Sequence, residues 1–234
     1  MTAPLISVIV PSHDRREELA RCLAAIGQQA FRDFEVLVVA DSADADYVRA
    51  ANALIAALPV AGRCIHLSGP ETPRQGPSPV RNAGAAVAEG AFLAFCDDDD
   101  LWLVADHLAV AARAFAADPE IDYYFANQIG VGDGAVRVAD WLPGLAPGDG
   151  SVRIISPAEL IAIPAFPHLN TTIVSRRLFA ALGGFDPTLR YSEDYDFSRR
   201  ATARARRIAV RPQIVAQHNI PDRMRSDNAS TRLS

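Results

Sequence analysis

An apolar run that ends in four consecutive carboxylates does most to limit how this chain can fold. The run 91–96 follows Gly90 and leads directly into the aspartates 97–100. A short apolar run bounded in this way predicts a buried strand. Two unit charges about 5 Å apart repel by roughly 3 kcal/mol at an effective dielectric constant of about 20. Because hard divalent cations prefer carboxylate oxygens, the cluster predicts a metal site at the end of this strand.

Size and composition exclude several classes of protein. The chain has 234 residues, and its formal net charge of −5 argues against nucleic-acid binding as a main role. All of its basic side chains apart from histidine are arginines, which excludes Schiff-base and P-loop lysine chemistry. No apolar stretch reaches the roughly 18–20 residues of a membrane span, and residues 1–11 lack the features of a signal peptide. Three widely spaced cysteines in apolar surroundings favour buried thiols, so we expect a cytoplasmic location.

Strands and helices alternate over the first half of the sequence, which predicts βαβ units and a parallel sheet. Asp14 is expected to cap the first helix, with Glu17 completing a capping box. The second half is less regular, with a long loop expected at 130–150 and a helix capped by Ser192. We predict strands at 5–11, 34–40, 63–67, 91–96, 121–129, 170–174 and 208–217, and helices from 14, at 44–58, 80–89 and 104–117, and from 192 to about 206.

Polar residues follow three of the predicted parallel strands. Ser12, His13 and Asp14 follow the first strand, Asp41 follows the second, and the four aspartates follow the fourth. Ligands of such sheets bind outside the carboxyl ends of the strands. In an extended backbone, Asp97 and Asp99 would face one ligand while Asp98 and Asp100 face away. A solvated cluster of helix-capping carboxylates is the alternative interpretation.

Several motifs occur in the order seen in one enzyme family. They are the segment 11–15 (PSHDR), Arg81-Asn82-x-Gly84, Gly90-x-Phe92-Leu93-x-Phe95, Asp97-x-Asp99-Asp100-x-Trp102, and Gly183-Gly184-Phe185-Asp186 followed by Glu193-Asp194-Tyr195-Asp196-Phe197. In combination they resemble the inverting GT-A glycosyltransferases of family 2, over residues 5 to 220. The resemblance implies a single α/β domain, 1–234, of the Rossmann-like GT-A fold, with a mixed central sheet flanked by helices. It would comprise a nucleotide-binding half (1–117), an acceptor-side half (118–220) and a flexible tail (221–234).

The resemblance also implies roles for residues at the donor site. Asp97 would be the first member of the D-x-D signature, Asp98 would hydrogen-bond the ribose, and Asp99 would ligate Mg²⁺ or Mn²⁺ together with the diphosphate. Arg81 would approach the base or the diphosphate. The family often has Tyr or Asn around the positions that His13 and Asp14 occupy in this chain. The nucleotide sugar would lie across Pro11, Ser12, Asp14 and Asp41, with Asp41 near the base.

A general base is implied in the second half of the chain. By resemblance to the family's Glu-Asp motif, Asp194 would take the proton of the acceptor hydroxyl. Glu193 points about 100° away on a helix, so it would hold the acceptor or a nearby backbone group. An acidic first turn that favours the helix dipole is the alternative interpretation of both residues.

Other candidates remain open between two interpretations. His218 would be a further metal ligand by resemblance, or a structural histidine. Trp141 is a candidate to stack on a sugar. The arginines between 199 and 211 would form a solvated helix face or contact an anionic acceptor or a membrane surface. Arg223, Arg225 and Ser226 would close over the diphosphate.

The predicted reaction is the metal-dependent transfer of a sugar, with inversion, from a nucleotide-diphosphate donor to a hydroxyl acceptor. The acceptor would be a glycan, a lipid-linked precursor or a small metabolite. A catalytically silent nucleotide-sugar-binding protein is one alternative. A sugar nucleotidyltransferase is another, although the segment 12–16 has no glycine for the phosphate-binding loop that such enzymes use.

Overall fold

A computed structural model describes residues 3–69, 74–145, 150–189 and 191–220. Its helices are α1 (Arg16–Gly27), α2 (Ala45–Ala56), α3 (Pro77–Val87), α4 (His107–Ala117), α5 (Pro157–Ala162), α6 (Arg176–Leu182) and α7 (Glu193–Arg204), with a 3-10 turn at Leu169–Thr171. Its strands are β1 (Ile6–Ser12), β2 (Phe34–Ala40), β3 (Ala61–His66), β4 (Phe92–Phe95), β5 (Leu101–Trp102), β6 (Ile121–Gly132), β7 (Ala135–Val138), β8 (Arg153–Ile155), β9 (Ile173–Ser175) and β10 (Arg207–Asn219).

Within the described residues the strands form one mixed sheet, as the family resemblance implies. The order is β3-β2-β1-β4-β9-β6-β10-β5, with β7 paired to β6 and β8 paired to β10. β1 is parallel to both β2 and β4, whereas β9 is antiparallel to both β4 and β6. β6 therefore runs in the same direction as β4, and so does β10, which is parallel to β6. The carboxyl ends of β1, β2, β4 and β10 therefore meet at one edge of the sheet.

The sheet is apolar on both faces, as expected where helices cover both sides. Val8 and Val10 of β1 pack with α1 and α2, whereas Ile9 between them packs with α3 on the other face. All three side chains are fully buried. This alternation follows from the two-residue period of a strand, and it explains why the strand reads as a continuous apolar run.

Two glycines allow the backbone of neighbouring elements to pack closely against β1. A Cβ atom at Gly84 of α3 would lie 2.7 Å from Cγ2 of Ile9, and one at Gly90 would lie 2.5 Å from the backbone nitrogen of Ser7. These glycines bring α3 and the start of β4 close to β1. They thereby fix the position of the aspartates that follow β4.

The predicted capping of α1 is wrong. Asp14 has a left-handed backbone (φ 51°), and Arg15 occupies the N-cap position without a side-chain cap hydrogen bond. The Asp14 carboxylate instead accepts a hydrogen bond from Ser42. Helix α1 therefore begins one residue later than a capping box at Asp14 would require, after a bend of the chain at Asp14.

The second half contains more regular structure than its sequence predicts. β6 continues to Gly132 and turns through Asp133 and Gly134, both with positive φ, into β7. An Asp-Gly pair of this conformation is a strong hairpin signal, so the loop predicted at 130–150 is partly wrong. Helices α5 and α6 were not predicted, because each spans less than two turns and shows no clear periodicity.

No helix in the described part of the chain is both long and apolar enough to cross a bilayer. The predicted roles of Arg223, Arg225 and Ser226, and of the tail 221–234, lie outside the described residues.

Candidate active site

The four aspartates after β4 form a turn rather than an extended strand. The backbone nitrogen of Asp100 donates to the carbonyl of Asp97 at 3.0 Å, which closes the turn. The alternation predicted from an extended backbone is therefore wrong. Asp98 and Asp99 both contact the same guanidinium, while Asp97 and Asp100 have different partners on other elements.

Arg15 neutralises two of these carboxylates. One of its Nη atoms lies 2.8 Å from Asp98 Oδ1, and the other contacts Asp99. Ser12 Oγ also donates to Asp98 at 2.5 Å. Asp98 is fully buried, and burial raises its pKa well above the usual range, although Arg15 lowers it. Contact of Asp98 with a ribose stays a prediction, and it would require these protein groups to move.

Arg81 connects Asp97 to the start of α7. Its guanidinium lies 2.6 Å from Asp97 Oδ1 and 2.8 Å from Glu193 Oε1, and the residue is 4% exposed. Burial alone would raise the pKa of Asp97, but the charge and the hydrogen bond of Arg81 together bring it below its usual value. Arg81 thus joins two acidic segments that are far apart in the sequence. Its predicted contact with the base or the diphosphate remains untested.

Asp100 pairs with His218 at the end of β10. Nδ1 of His218 lies 3.1 Å from Asp100 Oδ1, and the backbone nitrogen of Asn219 donates to the same oxygen at 2.8 Å. Burial lowers the pKa of His218, but Asp100 more than offsets this effect and the net pKa is about 8. Burial raises the pKa of Asp100 to about 6.

His168 completes a group of three metal-ligating side chains. One ligand atom each of Asp100, His168 and His218 lies within 4.8 Å of the others. Burial lowers the pKa of His168 to about 3, so its imidazole is neutral and able to ligate. One carboxylate and two imidazoles suit Mn²⁺ better than Mg²⁺, which prefers an all-oxygen set. The donor set therefore fits a divalent transition metal.

The structure brings Asp100, and not Asp99, next to His218. The Asp99 carboxylate contacts Arg15 instead, and burial raises its pKa. Its predicted role as a metal ligand stays a prediction. Sequence reasoning missed His168 because no ligand spacing connects it to another histidine. Arg15 stands in the motif at 11–15, but its partner Asp99 is 84 positions away, and nothing in the local sequence indicates that contact.

The predicted nucleotide side lies at the ends of β1 and β2. Pro11 and Ser12 end β1, and Asp14 is exposed. Asp41 is 5% exposed, and it accepts hydrogen bonds from the backbone nitrogens of Gln75 (3.0 Å) and Gly76 (3.2 Å). Asp41 therefore holds the segment before α3 against β2.

Asp194 lies in the first turn of α7, next to Glu193. Its Oδ1 accepts a hydrogen bond from the backbone nitrogen of Tyr195 at 2.7 Å. Burial and the neighbouring Glu193 raise its pKa, which makes the carboxylate a stronger base. Ser192 precedes the helix with a left-handed backbone and makes no side-chain cap hydrogen bond, so its predicted capping role is wrong.

The arginines between 199 and 211 are largely paired within the chain. Arg200 pairs with Asp196, Arg206 with Glu120 and Asp122, Arg207 with Asp118, and Arg211 with Asp106. These partners neutralise most of the charge that the sequence places here. The interpretation as a basic surface for an anionic acceptor or a membrane thereby loses its main support.

Comparison with known proteins assigns this architecture to a family. The model of Glycosyl transferase family 2 matches residues 7–143. An uncharacterized glycosyltransferase from Haemophilus influenzae is 26% identical over 195 residues, which cover 82% of this chain and 60% of that protein.

Two solved structures share the fold. S. aureus TarS 1-349, in complex with UDP-GlcNAc, superposes with a TM-score of 0.73 at 24% identity, covering 99% of this chain and 61% of that one. The mannosyltransferase PcManGT from Pyrobaculum calidifontis, in complex with GDP-Man and Mn²⁺, has a TM-score of 0.68 at 18% identity, covering 96% and 59%. The chain thus spans about 60% of the length of each of these proteins. The expected α/β GT-A fold is confirmed.

Proposed function

The chain belongs to glycosyl transferase family 2, and on that premise we propose that it transfers a sugar from a nucleotide-diphosphate donor to a hydroxyl acceptor. The transfer would be a single displacement with inversion at the anomeric carbon, and Asp194 would be the general base. The observation that carries this proposal is the buried chain Asp97–Arg81–Glu193, which joins the turn of aspartates to the first turn of α7.

The nucleotide side supports the donor half of the proposal. Ser12 and Asp41 end adjacent parallel strands, where ligands of such sheets bind. We propose that the nucleotide sugar lies across Pro11, Ser12, Asp14 and Asp41, and that Arg81, Asp97 and Asp98 bound it on the side of β4. The UDP-GlcNAc and GDP-Man complexes of TarS and PcManGT support a nucleotide-sugar donor, without identifying the sugar or the base.

A metal ion would be held beside the diphosphate by Asp100, His168 and His218. A cation there would stabilise the negative charge that grows on the leaving diphosphate. Asp99 is the remaining candidate ligand, provided that Arg15 releases its carboxylate. The Mn²⁺ of the PcManGT complex supports a manganese cofactor, with Mg²⁺ as the alternative.

In this proposal Asp194 accepts the proton of the acceptor hydroxyl. The acceptor hydroxyl must lose a proton as it attacks, and a carboxylate with a raised pKa is suited to receive it. Glu193 holds Arg81, and through it the turn of aspartates, so its role is to position Asp194 relative to the donor. The acceptor would be a glycan, a lipid-linked precursor or a small metabolite. The cytoplasmic location and the peripheral membrane contact stay predictions.

A donor panel tests the proposal directly. The protein is incubated with UDP- and GDP-sugars, Mn²⁺ and a set of methyl glycosides as hydroxyl acceptors. Release of nucleoside diphosphate is measured together with the anomeric configuration of the glycoside product by proton NMR, and a parallel incubation contains nucleoside triphosphates and sugar 1-phosphates. Release from one donor and an inverted product are expected. A retained configuration would overturn the role of Asp194. Binding of a donor without any release would favour a silent binding protein, and release of inorganic pyrophosphate from a nucleoside triphosphate would favour a nucleotidyltransferase.

A further inference from the structure

Three aromatic side chains form a row beside the candidate active site. The ring centroids of Trp141 and Phe166 are 6.4 Å apart, and those of Phe166 and Tyr195 are 5.3 Å apart, with both pairs edge to face. Trp141 Nε1 donates to the carbonyl of Phe166 at 3.0 Å, which fixes the indole. We refer to Trp141, Phe166 and Tyr195 as the aromatic row.

The row is open to solvent. Tyr195 is 43% exposed, and Trp141 and Phe166 are half-buried. The guanidinium of Arg199 lies 5.7 Å from the centroid of the Tyr195 ring and donates to its hydroxyl at 3.1 Å. These contacts hold the ring in one orientation without burying it. An oriented and exposed aromatic ring is suited to binding a ligand.

One end of the row lies beside the candidate metal group, and the other end belongs to the helix that carries Asp194. At one end, the ring of Trp141 lies 5.5 Å from that of His218, which pairs with Asp100. At the other end, Tyr195 directly follows Asp194 in α7. In a single displacement, the reacting carbon lies between the leaving diphosphate and the general base. The row therefore extends from the candidate metal group to the helical turn that carries the proposed base.

The row lies away from the proposed nucleotide side. Counted along the sheet from β3, β2 and β1 are the second and third strands, whereas β6 and β10 are the sixth and seventh. Ser12 ends β1 and Asp41 follows β2, whereas His218 lies in β10 and the backbone of Trp141 hydrogen-bonds to β6. A nucleobase near Asp41 therefore leaves the row free for the second substrate.

We propose that the aromatic row binds a pyranose ring of the acceptor, which makes the acceptor a sugar, either free or lipid-linked. A pyranose has an apolar face of C–H groups that packs on an aromatic ring, whereas a linear polyol or a lipid chain has no such flat face. Ligand sites of this kind combine aromatic walls with a few convergent polar groups, here Asp194 and Arg199. This inference rests on the proposed glycosyl transfer, because only that reaction places an acceptor at Asp194.

Binding of simple sugars tests the proposal without knowledge of the natural acceptor. Methyl β-D-glucopyranoside, methyl β-D-galactopyranoside and ribitol are titrated by saturation-transfer difference NMR, with Mn²⁺-free buffer and saturating UDP or GDP. At least one pyranoside is expected to bind more tightly than ribitol. Tyr195→Ala and Phe166→Leu should each weaken that pyranoside about three- to tenfold, in line with the contribution of one aromatic contact.

Two further variants separate the loss of the ring from other effects. Tyr195→Phe keeps the ring and should retain the pyranoside affinity. Tyr191→Ala removes a tyrosine of similar exposure (42%) that has no ring contact with the row in the described part of the chain, so it should also leave that affinity unchanged.

Three results would overturn the proposal. They are equal pyranoside affinity in the wild type and Tyr195→Ala, an equal loss of ribitol binding in that variant, and a loss of UDP or GDP affinity in place of pyranoside affinity. The last would assign the row to the donor. Failure of the proposed function is a separate result, namely that no nucleotide sugar in the panel binds or releases its diphosphate in the wild type.

Discussion

Arg81 and Glu193 form a buried ion pair at 2.8 Å, although 112 positions separate them in the sequence. The same guanidinium contacts Asp97 at 2.6 Å. One side chain of α3 therefore sets the distance between the turn of aspartates and the proposed base. Without this cation, the carboxylates of Asp97 and Glu193 would repel one another in surroundings that are only partly open to water.

The first prediction concerns this ion pair. Arg81→Met should lower the free energy of unfolding by about 3 kcal/mol, because it leaves the buried Glu193 and the partly exposed Asp97 without a cation. Urea denaturation followed by circular dichroism measures the change. Arg137→Met is the matched control, since Arg137 is 53% exposed and pairs with the exposed Asp133. It should change stability by no more than about 0.5 kcal/mol. Equal losses of stability in the two variants would show that this ion pair stabilises the protein no more than an exposed one does.

The second prediction concerns the general base. Asp194→Asn should preserve donor binding but lower the turnover number by about 10²–10⁴, because an amide cannot accept the proton. Isothermal titration with the donor and a coupled diphosphate assay separate the two quantities. Asp196→Asn changes a carboxylate in the same helical turn that pairs with Arg200. Turnover in Asp194→Asn equal to that of this control would remove Asp194 from the mechanism.

The third prediction is a pH dependence. Burial and the charge of Glu193 raise the pKa of Asp194, and a base acts in its deprotonated form. The turnover number should therefore fall as the pH decreases through this raised pKa. Glu193→Gln removes one of the causes, so the acid limb of the profile should move to lower pH. A limb that stays in place or moves upward would contradict the assignment of this limb to Asp194.

The fourth prediction concerns the metal. Saturating Mn²⁺, at about 100 times its dissociation constant, should stabilise the wild type by about 2.7 kcal/mol, which corresponds to a rise in Tm of roughly 5–10 °C. His168→Ala, His218→Ala and Asp100→Asn should each lose this rise, measured by differential scanning fluorimetry. His66→Ala is the control, because His66 is exposed and hydrogen-bonds the carbonyl of Ser42 on the nucleotide side.

Asp99→Asn decides between the two ligand sets. If it alone abolishes the Mn²⁺-dependent rise, the ligand is the residue that the sequence motif predicts. If the rise persists in Asp99→Asn and disappears in Asp100→Asn, the ligand set is the one that the structure brings together.

The fifth prediction concerns the approach of β4 to β1. Gly90→Ala should destabilise the protein by about 1–3 kcal/mol, because the new Cβ atom would lie 2.5 Å from the backbone nitrogen of Ser7 and 2.7 Å from the backbone carbon of Ile6. Thermal denaturation measures this loss. At Gly69 a Cβ atom would meet nothing within 4 Å, so Gly69→Ala should leave Tm nearly unchanged. A stable Gly90→Ala variant would mean that the backbone of β1 can shift at that point.

Local sequence patterns predicted the parallel strands β1, β2 and β4 well. The apolar runs of β1, β2 and β4 are buried on both faces, and a strand of that kind leaves a clear signal in the sequence. The polar residues after each strand also indicated the edge where the site lies. Both results depend only on residues that are close together in the chain.

The partners of the four aspartates could not be predicted in the same way. Arg15, Arg81 and His218 come from three different elements, and the contact of His218 with Asp100 spans 118 positions. Which arginine pairs with which carboxylate depends on the turn at residues 97–100, whereas an extended backbone predicts an alternation that the structure does not have. Local patterns carry no information about such distances.

The place of β10 in the sheet also determines when the site can form. β10 is the last strand in the described sequence, yet it lies between β6 and β5 and carries His218 at its end. During synthesis, the four aspartates and Arg81 emerge well before the strand that brings His218 to Asp100. The metal group of a nascent chain therefore stays incomplete until β10 has emerged. Contacts this distant in sequence form late and slowly, so the final pairing of β10 with β6 is expected to limit the rate at which the protein becomes active.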